Sequence, residues 1–368
     1  MPLDLSAARV EREFKHASPL VGCRFDPSGR FLFVTAQDNS VQRFDVVTGA
    51  KTPLVGHQSW ARGLTFRSDT PPQPAATERM AGVMDAARGA LGSGAASRFP
   101  VPPAAPFVLI SADYHGKLIW WDGAAAAPTP IRTVEAHAGW CRAVAVSPDG
   151  RTLASCGNDA LVKLWDAATG APRRTLAGHA GHIYNVAFHP SGTRLVSCDL
   201  NGVVKDWDTT TGACVRDLDA KVLHKYDTGF RADIGGARGM AVGADGRVAC
   251  AGITNVSNAF AGVGNPLVVL FDWTEGKPKA LKPKDAFQGT AWGVGFLPDG
   301  TVVAGGGGNG GRVWFWAGDA AESTHTVTLP AHARDMAVHP AGDRIAVACA
   351  TGSAFVYTLR PGTVPTKK

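Results

Sequence analysis

Residues 134–170 read VEAHAGWCRAVAVSPDGRTLASCGNDALVKLWDAATG. Apolar and polar residues alternate over Arg142–Val146, Thr152–Ser155 and Leu161–Trp165, the period-2 pattern of half-buried strands. Ser147-Pro148-Asp149-Gly150 supplies turn chemistry between the first two. Pro presets φ, Asp bonds its own backbone and Gly accepts positive φ. Asn158-Asp159 turns the chain into the third strand, and Ala167–Gly170 turns it into a fourth, Pro172–Leu176.

The same template repeats outward. It fits Phe14–Gly49, Leu54–Asp122, Leu176–Gly212, Leu218–Trp273, Leu281–Trp316 and Val327–Leu359. Each unit closes on an aromatic residue, in turn Phe44, Trp121, Trp165, Trp207, Phe271, Trp316 and Tyr357, and Asp follows the first five. Trp121, Trp165 and Trp207, and again Phe271, Trp316 and Tyr357, stand 41 to 45 residues apart. A repeat of that period is one supersecondary unit copied about an axis. The prediction is an all-β chain forming a single closed seven-bladed β-propeller, four antiparallel strands per blade. Each outer strand precedes its unit's His-bearing loop, so the seventh blade needs a strand from elsewhere. Val10–Phe14 alternates correctly and is expected to complete it, clasping the two termini and removing an exposed edge. The propeller is expected to span 1–360, with 361–368 a loose tail.

The chain has 368 residues, 45% hydrophobic and 18% charged, enough for a large core. A repeat array grows within one body, so this length does not require two or three domains. A formal charge of +6 and a pI near 9.0 suit an acidic partner without demanding nucleic acid. Seven Cys with no CxxC pair read as reduced, small hydrophobes; Cys156 and Cys198 hold equivalent strand positions. MPLDLSAARVEREFKH lacks the apolar core of a secretion signal, and no apolar run approaches a membrane span. The expectation is a soluble cytoplasmic protein without membrane association, monomeric on its own.

Gly56-His57, Ala136-His137, Gly178-His179 and Ala331-His332, the Pro-Asp-Gly and Pro-Ser-Gly turns, and the Trp-Asp closures resemble the WD-repeat (WD40) propellers over essentially the whole chain. The resemblance implies that a His, a strand Ser or Thr, a turn Asp and the closing Trp hydrogen-bond across each blade. Only the third unit is read as keeping all four, as His137, Ser155, Asp159 and Trp165. The fourth has His179, Ser197 and Trp207 but Asn201 where the Asp belongs, and the fifth to seventh lack most of the set.

Three insertions interrupt the period. Residues 71–106, rich in Ala, Pro and Gly with a candidate helix over Ala76–Leu91, separate the first two strands of the second blade; they read as decoration or as a docking element. The fifth blade carries residues 219–237 and 252–266, both expected on the top face as one protrusion. Lys225, Tyr226, Phe230 and Arg231 make it a basic, aromatic secondary binding surface. Gly305–Gly308, Gly310 and Gly311 beside it read as leaving room, and as a tight turn rather than a phosphate loop, because they join strands and open no helix.

The aligned units also expose a ring. The residue opening each first strand is Val21, Arg62, Arg142, Tyr184, Arg238, Trp292 and Arg334; two earlier stand Pro19, Trp60, Trp140, His182, Gly236, Thr290 and His332. The WD-repeat resemblance places these positions where top loops meet the channel and often contact partners. Four convergent Arg gain nothing in folding unless acids answer them, and Asp159, Asp335 and Asp233 are the candidates. Otherwise Arg with Trp and Tyr is hot-spot composition, with forks for carboxylate or phosphate.

With no Asp or Glu on the ring and no Ser-His-Asp grouping, no catalytic residues, metal or cofactor are expected. The leading expectation is a non-catalytic scaffold binding a protein or peptide, acidic or phosphorylated, through Arg62, Arg142, Arg238, Arg334, Trp60, Trp140, Tyr184, Trp292 and His182. The alternative is RNA or single-stranded nucleic acid on the same surface. A third reading is an enzyme with the fifth-blade loops as lid.

Overall fold

The computed structural model describes residues 3–68, 106–257, 264–308 and 310–360. Among the described residues there are seven four-stranded antiparallel sheets in chain order; in six of them each strand lies beside the next in sequence, and a separate two-stranded hairpin is attached to the fifth. In the third blade the strands are Cys141–Val146, Thr152–Gly157, Leu161–Asp166 and Pro172–Ala177. Its first turn is built as the sequence implies: Ser147 Oγ donates to Asp149, and Gly150 N–H closes onto Ser147 O with φ +73°. The all-β seven-bladed propeller is the observed fold.

The seventh sheet is completed by Arg9–Lys15, which pairs with Ser353–Thr358 (Val10 opposite Tyr357, Phe14 opposite Ala354). Phe14 is buried and stacks on Phe44 of the first blade at 4.8 Å. The core consists of wedges between neighbouring blades. Trp121 of the second blade packs with Phe31, Phe33 and Leu54 of the first, and Trp207 packs with Ala154, Cys156 and Leu176 of the third. Fully burying such a side chain contributes about 2–3 kcal/mol. The candidate helix at 76–91, residues 258–263 of the second fifth-blade insertion and the 361–368 tail lie outside the described residues.

The blade-locking groups depart from the sequence expectation. In the third blade His137 reaches Asp159 at 2.9 Å and Ser155 at 2.7 Å, and Trp165 Nε1 donates to Ser155 at 2.9 Å. The fourth blade is equally complete, because His179 bonds Asp199 at 2.9 Å instead of position 201. The second repeats this with His57 and Asp113 at 2.8 Å, and with Ser111 and Trp121. In both, the acid sits two residues after the Ser, at the strand end, rather than four residues on in the turn. From there its second oxygen also accepts turn N–H groups, Asn201 and Val203 in one case and His115 and Lys117 in the other.

The glycine run of the sixth blade is a tight hairpin, with Val302–Gly308 pairing with Gly310–Trp316. It leaves no room beside it, contrary to expectation. A Cβ on Gly306 would strike Thr290 O, and one on Gly311 would strike Ala331 O. The absent side chains let neighbouring backbone close in.

Candidate functional site

Six of the seven first strands carry a one-residue register break. The residue left out of pairing is in every case a ring position: Val21, Arg62, Arg142, Tyr184, Trp292 and Arg334. In the fifth blade Arg238 stands just before the paired Gly239, its N–H donating to Ala251 O at 2.7 Å. A β-bulge leaves its extra residue unpaired and re-aims the side chain. All seven residues accordingly line one cavity of about 340 Å³ at the top of the propeller. Trp60, Trp140 and His332 join them. His182 is exposed and lies outside the lining. Tyr114 lines the cavity too and is absent from the aligned columns, because it belongs to the turn between the second and third strands of the second blade.

These side chains form a ladder of rings and guanidiniums. Trp60 faces Tyr114 at 6.2 Å, and Tyr114 stacks on Trp140 at 4.0 Å with planes 1° apart. Arg142 is wedged between Trp140 (4.7 Å) and Tyr184 (4.1 Å). Arg238 lies between Tyr184 (4.9 Å) and Trp292 (5.6 Å). Arg62 then reaches over from the second blade, 5.9 Å from the Trp292 ring, and its Nη2 donates to Arg238 O at 3.3 Å. Each such stack is worth about 0.5–2 kcal/mol, so the ring is held in shape before any partner arrives.

No acid neutralises it. Asp159 is committed to His137 and Lys163, Asp335 to Arg24 at 2.8 Å, and Asp233 to His224 at 2.8 Å. Among the described residues none of Arg62, Arg142, Arg238 and Arg334 has an ion-pair partner. Burial, then the charges of Arg238 and Arg62, hold Arg142 below the usual arginine range, while Tyr184 and Tyr114 oppose the shift. Arginine stays protonated regardless. Burial and Arg334 likewise push His332 down, which leaves it neutral near pH 7.

The fifth-blade protrusion is a hairpin of His224–Asp227 and Ala232–Gly235, anchored by buried Leu223. Lys225 Nζ donates to Val256 O at 2.7 Å and Ser257 O at 3.3 Å, so the two insertions touch and this ammonium is used internally. Tyr226 and Phe230 are exposed, and Arg231 sits at the tip with φ +50°. Among the described residues no cluster of His, Cys, Asp or Glu is arranged for a metal ion, and no helix is long and apolar enough to cross a membrane.

The family described as WD domain, G-beta repeat matches residues 128–166 and 170–208. These two stretches are WD40 repeats. Each match runs from the outer strand of one blade through the third strand of the next. The same offset, carried round all seven blades, leaves the last blade to take its outer strand from the N-terminus. No curated protein matches the chain. WD40 propellers are typically protein-interaction scaffolds and generally non-catalytic.

Proposed function

We propose that this WD40 propeller is a non-catalytic scaffold that grips an acidic or phosphorylated segment of a partner protein at its top mouth. The observation that carries the reading is four arginines converging on one cavity with no acid to answer them. Folding alone gains nothing from that repulsion, whereas an anionic partner relieves it. The stacked aromatics fix the guanidiniums in place, which lowers the ordering cost of binding.

A peptide fits better than single-stranded nucleic acid. Bases stack on open aromatic faces; Tyr184 lies against two arginines, and of the mouth aromatics only Trp60 and Trp140 stay exposed, too few for a run of stacked bases. Affinity capture with wild type and with a variant carrying Arg62, Arg142, Arg238 and Arg334 all changed to Glu tests the reading. Partners should be retained by the first and lost by the second. Equal retention by both would overturn it.

A further inference from the structure

Arg62, Arg142 and Arg238 line the mouth and also a second cavity of about 290 Å³ deeper in the channel, so they stand at the junction of the two. Their protein partners use few of their donors. Arg142 gives Nε to Asn158 Oδ1 at 2.6 Å, and Arg62 gives Nη2 to the Arg238 carbonyl. The guanidinium of Arg238 donates to no acceptor among the described residues. Beside them Trp292 Nε1 is buried without a hydrogen-bond partner, as is His332 Nε2. An unpaired buried donor costs about 1–3 kcal/mol, so its position at a cavity wall points to an acceptor arriving from outside.

Counting donors selects that acceptor. A carboxylate brings two oxygens and one charge. A phosphate monoester brings three oxygens and up to two charges near neutral pH. Three guanidiniums and an indole N–H exceed the first and match the second.

We propose that this junction holds one tetrahedral dianion, the phosphate monoester of a phosphorylated side chain, between Arg62, Arg142 and Arg238 with the Trp292 N–H as a further donor. The proposal rests on the top-mouth reading above and narrows it from acidic or phosphorylated segments to phosphorylated ones. His332, neutral and unpartnered on the same wall, can add a further donor without adding charge.

The test is calorimetric titration of the full chain with N-acetyl-phosphoserine amide, inorganic phosphate and N-acetyl-glutamate amide at equal ionic strength. One site is expected, with phosphoserine bound at least about tenfold more tightly than the glutamate amide. Arg62→Gln and Arg142→Gln should each weaken phosphoserine about tenfold, and Trp292→Phe about threefold, with thermal midpoints lowered by no more than a few degrees. Arg142→Lys replaces Arg142→Gln if the latter fails to fold. The glutamate amide bound as tightly as phosphoserine would overturn the choice of phosphate but leave the top-mouth reading standing. Inorganic phosphate bound more tightly than phosphoserine would assign the junction to a free anion and overturn the side-chain source. No binding of any probe overturns the proposal alone if the four-Glu variant still loses partners, and overturns both readings if it does not.

Discussion

Arg174 of the third blade donates from Nη1 to the carbonyl of Thr211, 2.7 Å away in the turn of the fourth. The relationship recurs around the ring. Arg132 reaches Ala168 O at 2.7 Å, Arg216 reaches Thr274 O at 3.3 Å, and Lys279 reaches Asp319 O at 2.6 Å. All four cations hold one register position of their outer strands, opposite Trp120, Leu164, Asp206 and Leu270. The first blade has Thr52 there, and Arg43 from the adjacent strand bonds Gly123 O and Ala125 O instead. Part of the chain's positive charge therefore brackets blade to blade.

Arg132→Met and Arg174→Met should each lower unfolding free energy by about 0.5–1 kcal/mol, the modest worth of an exposed charged donor on a neutral carbonyl. Their effects should add, since the two lie in different seams. Urea denaturation of both single variants and the double variant measures this.

Asp199→Ala should destabilise by about 2–4 kcal/mol, because it strands the buried His179 Nδ1 and two backbone N–H groups. Asn201→Ala should cost less than about 0.5 kcal/mol. The reverse order in thermal unfolding would return the locking role to the turn position.

Acidification should weaken the fold in two stages. Burial, reinforced by Arg194, Arg334 and Arg344 respectively, holds His189, His332 and His339 below the ordinary value of 6.5. The unfolded chain takes up these protons first, so stability falls as pH drops below that value. Asp113 is buried and Asp159 half-buried, which raises their values, but hydrogen bonds from His57 and His137 and from nearby backbone outweigh it and hold them below 3.8. Their contribution is present above 3.8 and is lost as pH falls through the lower folded values. A urea midpoint flat between pH 7 and pH 5 would contradict the first stage, and His339→Gln should shallow it.

Arg142→Lys keeps the charge but loses the planar stack between Trp140 and Tyr184 and the two-pronged fork. Partner affinity should drop about tenfold, with the thermal midpoint lowered by only a few degrees. Raising salt should weaken wild-type capture as well.

Gly306→Ala should destabilise by about 3 kcal/mol or fail to fold, since the new methyl meets Thr290 O in a rigid strand. Chemical denaturation against wild type decides it.

The blades were legible in the sequence because their determinants are local. Ser147–Gly150 turns by its own chemistry, and Leu161–Trp165 alternates whatever surrounds it. The ring positions were legible as well, since seven aligned copies expose a column such as Arg62, Arg142 and Arg334. Tyr114 was not, because it comes from a turn outside that column and reaches the mouth only through its stack on Trp140. Asp113 and Asp199 were overlooked for a related reason. Their carboxylates meet the same His ring as Asp159 does from a different chain position, and only the fold equates the two.

The period of Trp-Asp and Phe-Asp closures by itself determined a closed seven-bladed propeller, since four short alternating strands must bury both faces against neighbouring copies. Only the tertiary structure decided that Asp159, Asp335 and Asp233 answer other cations, and that bulges at Arg62 and Arg142 and the strand entry at Arg238 bring the three onto one cavity. Charge pairing depends on distances between residues from different blades, and those distances exist only once the ring has closed.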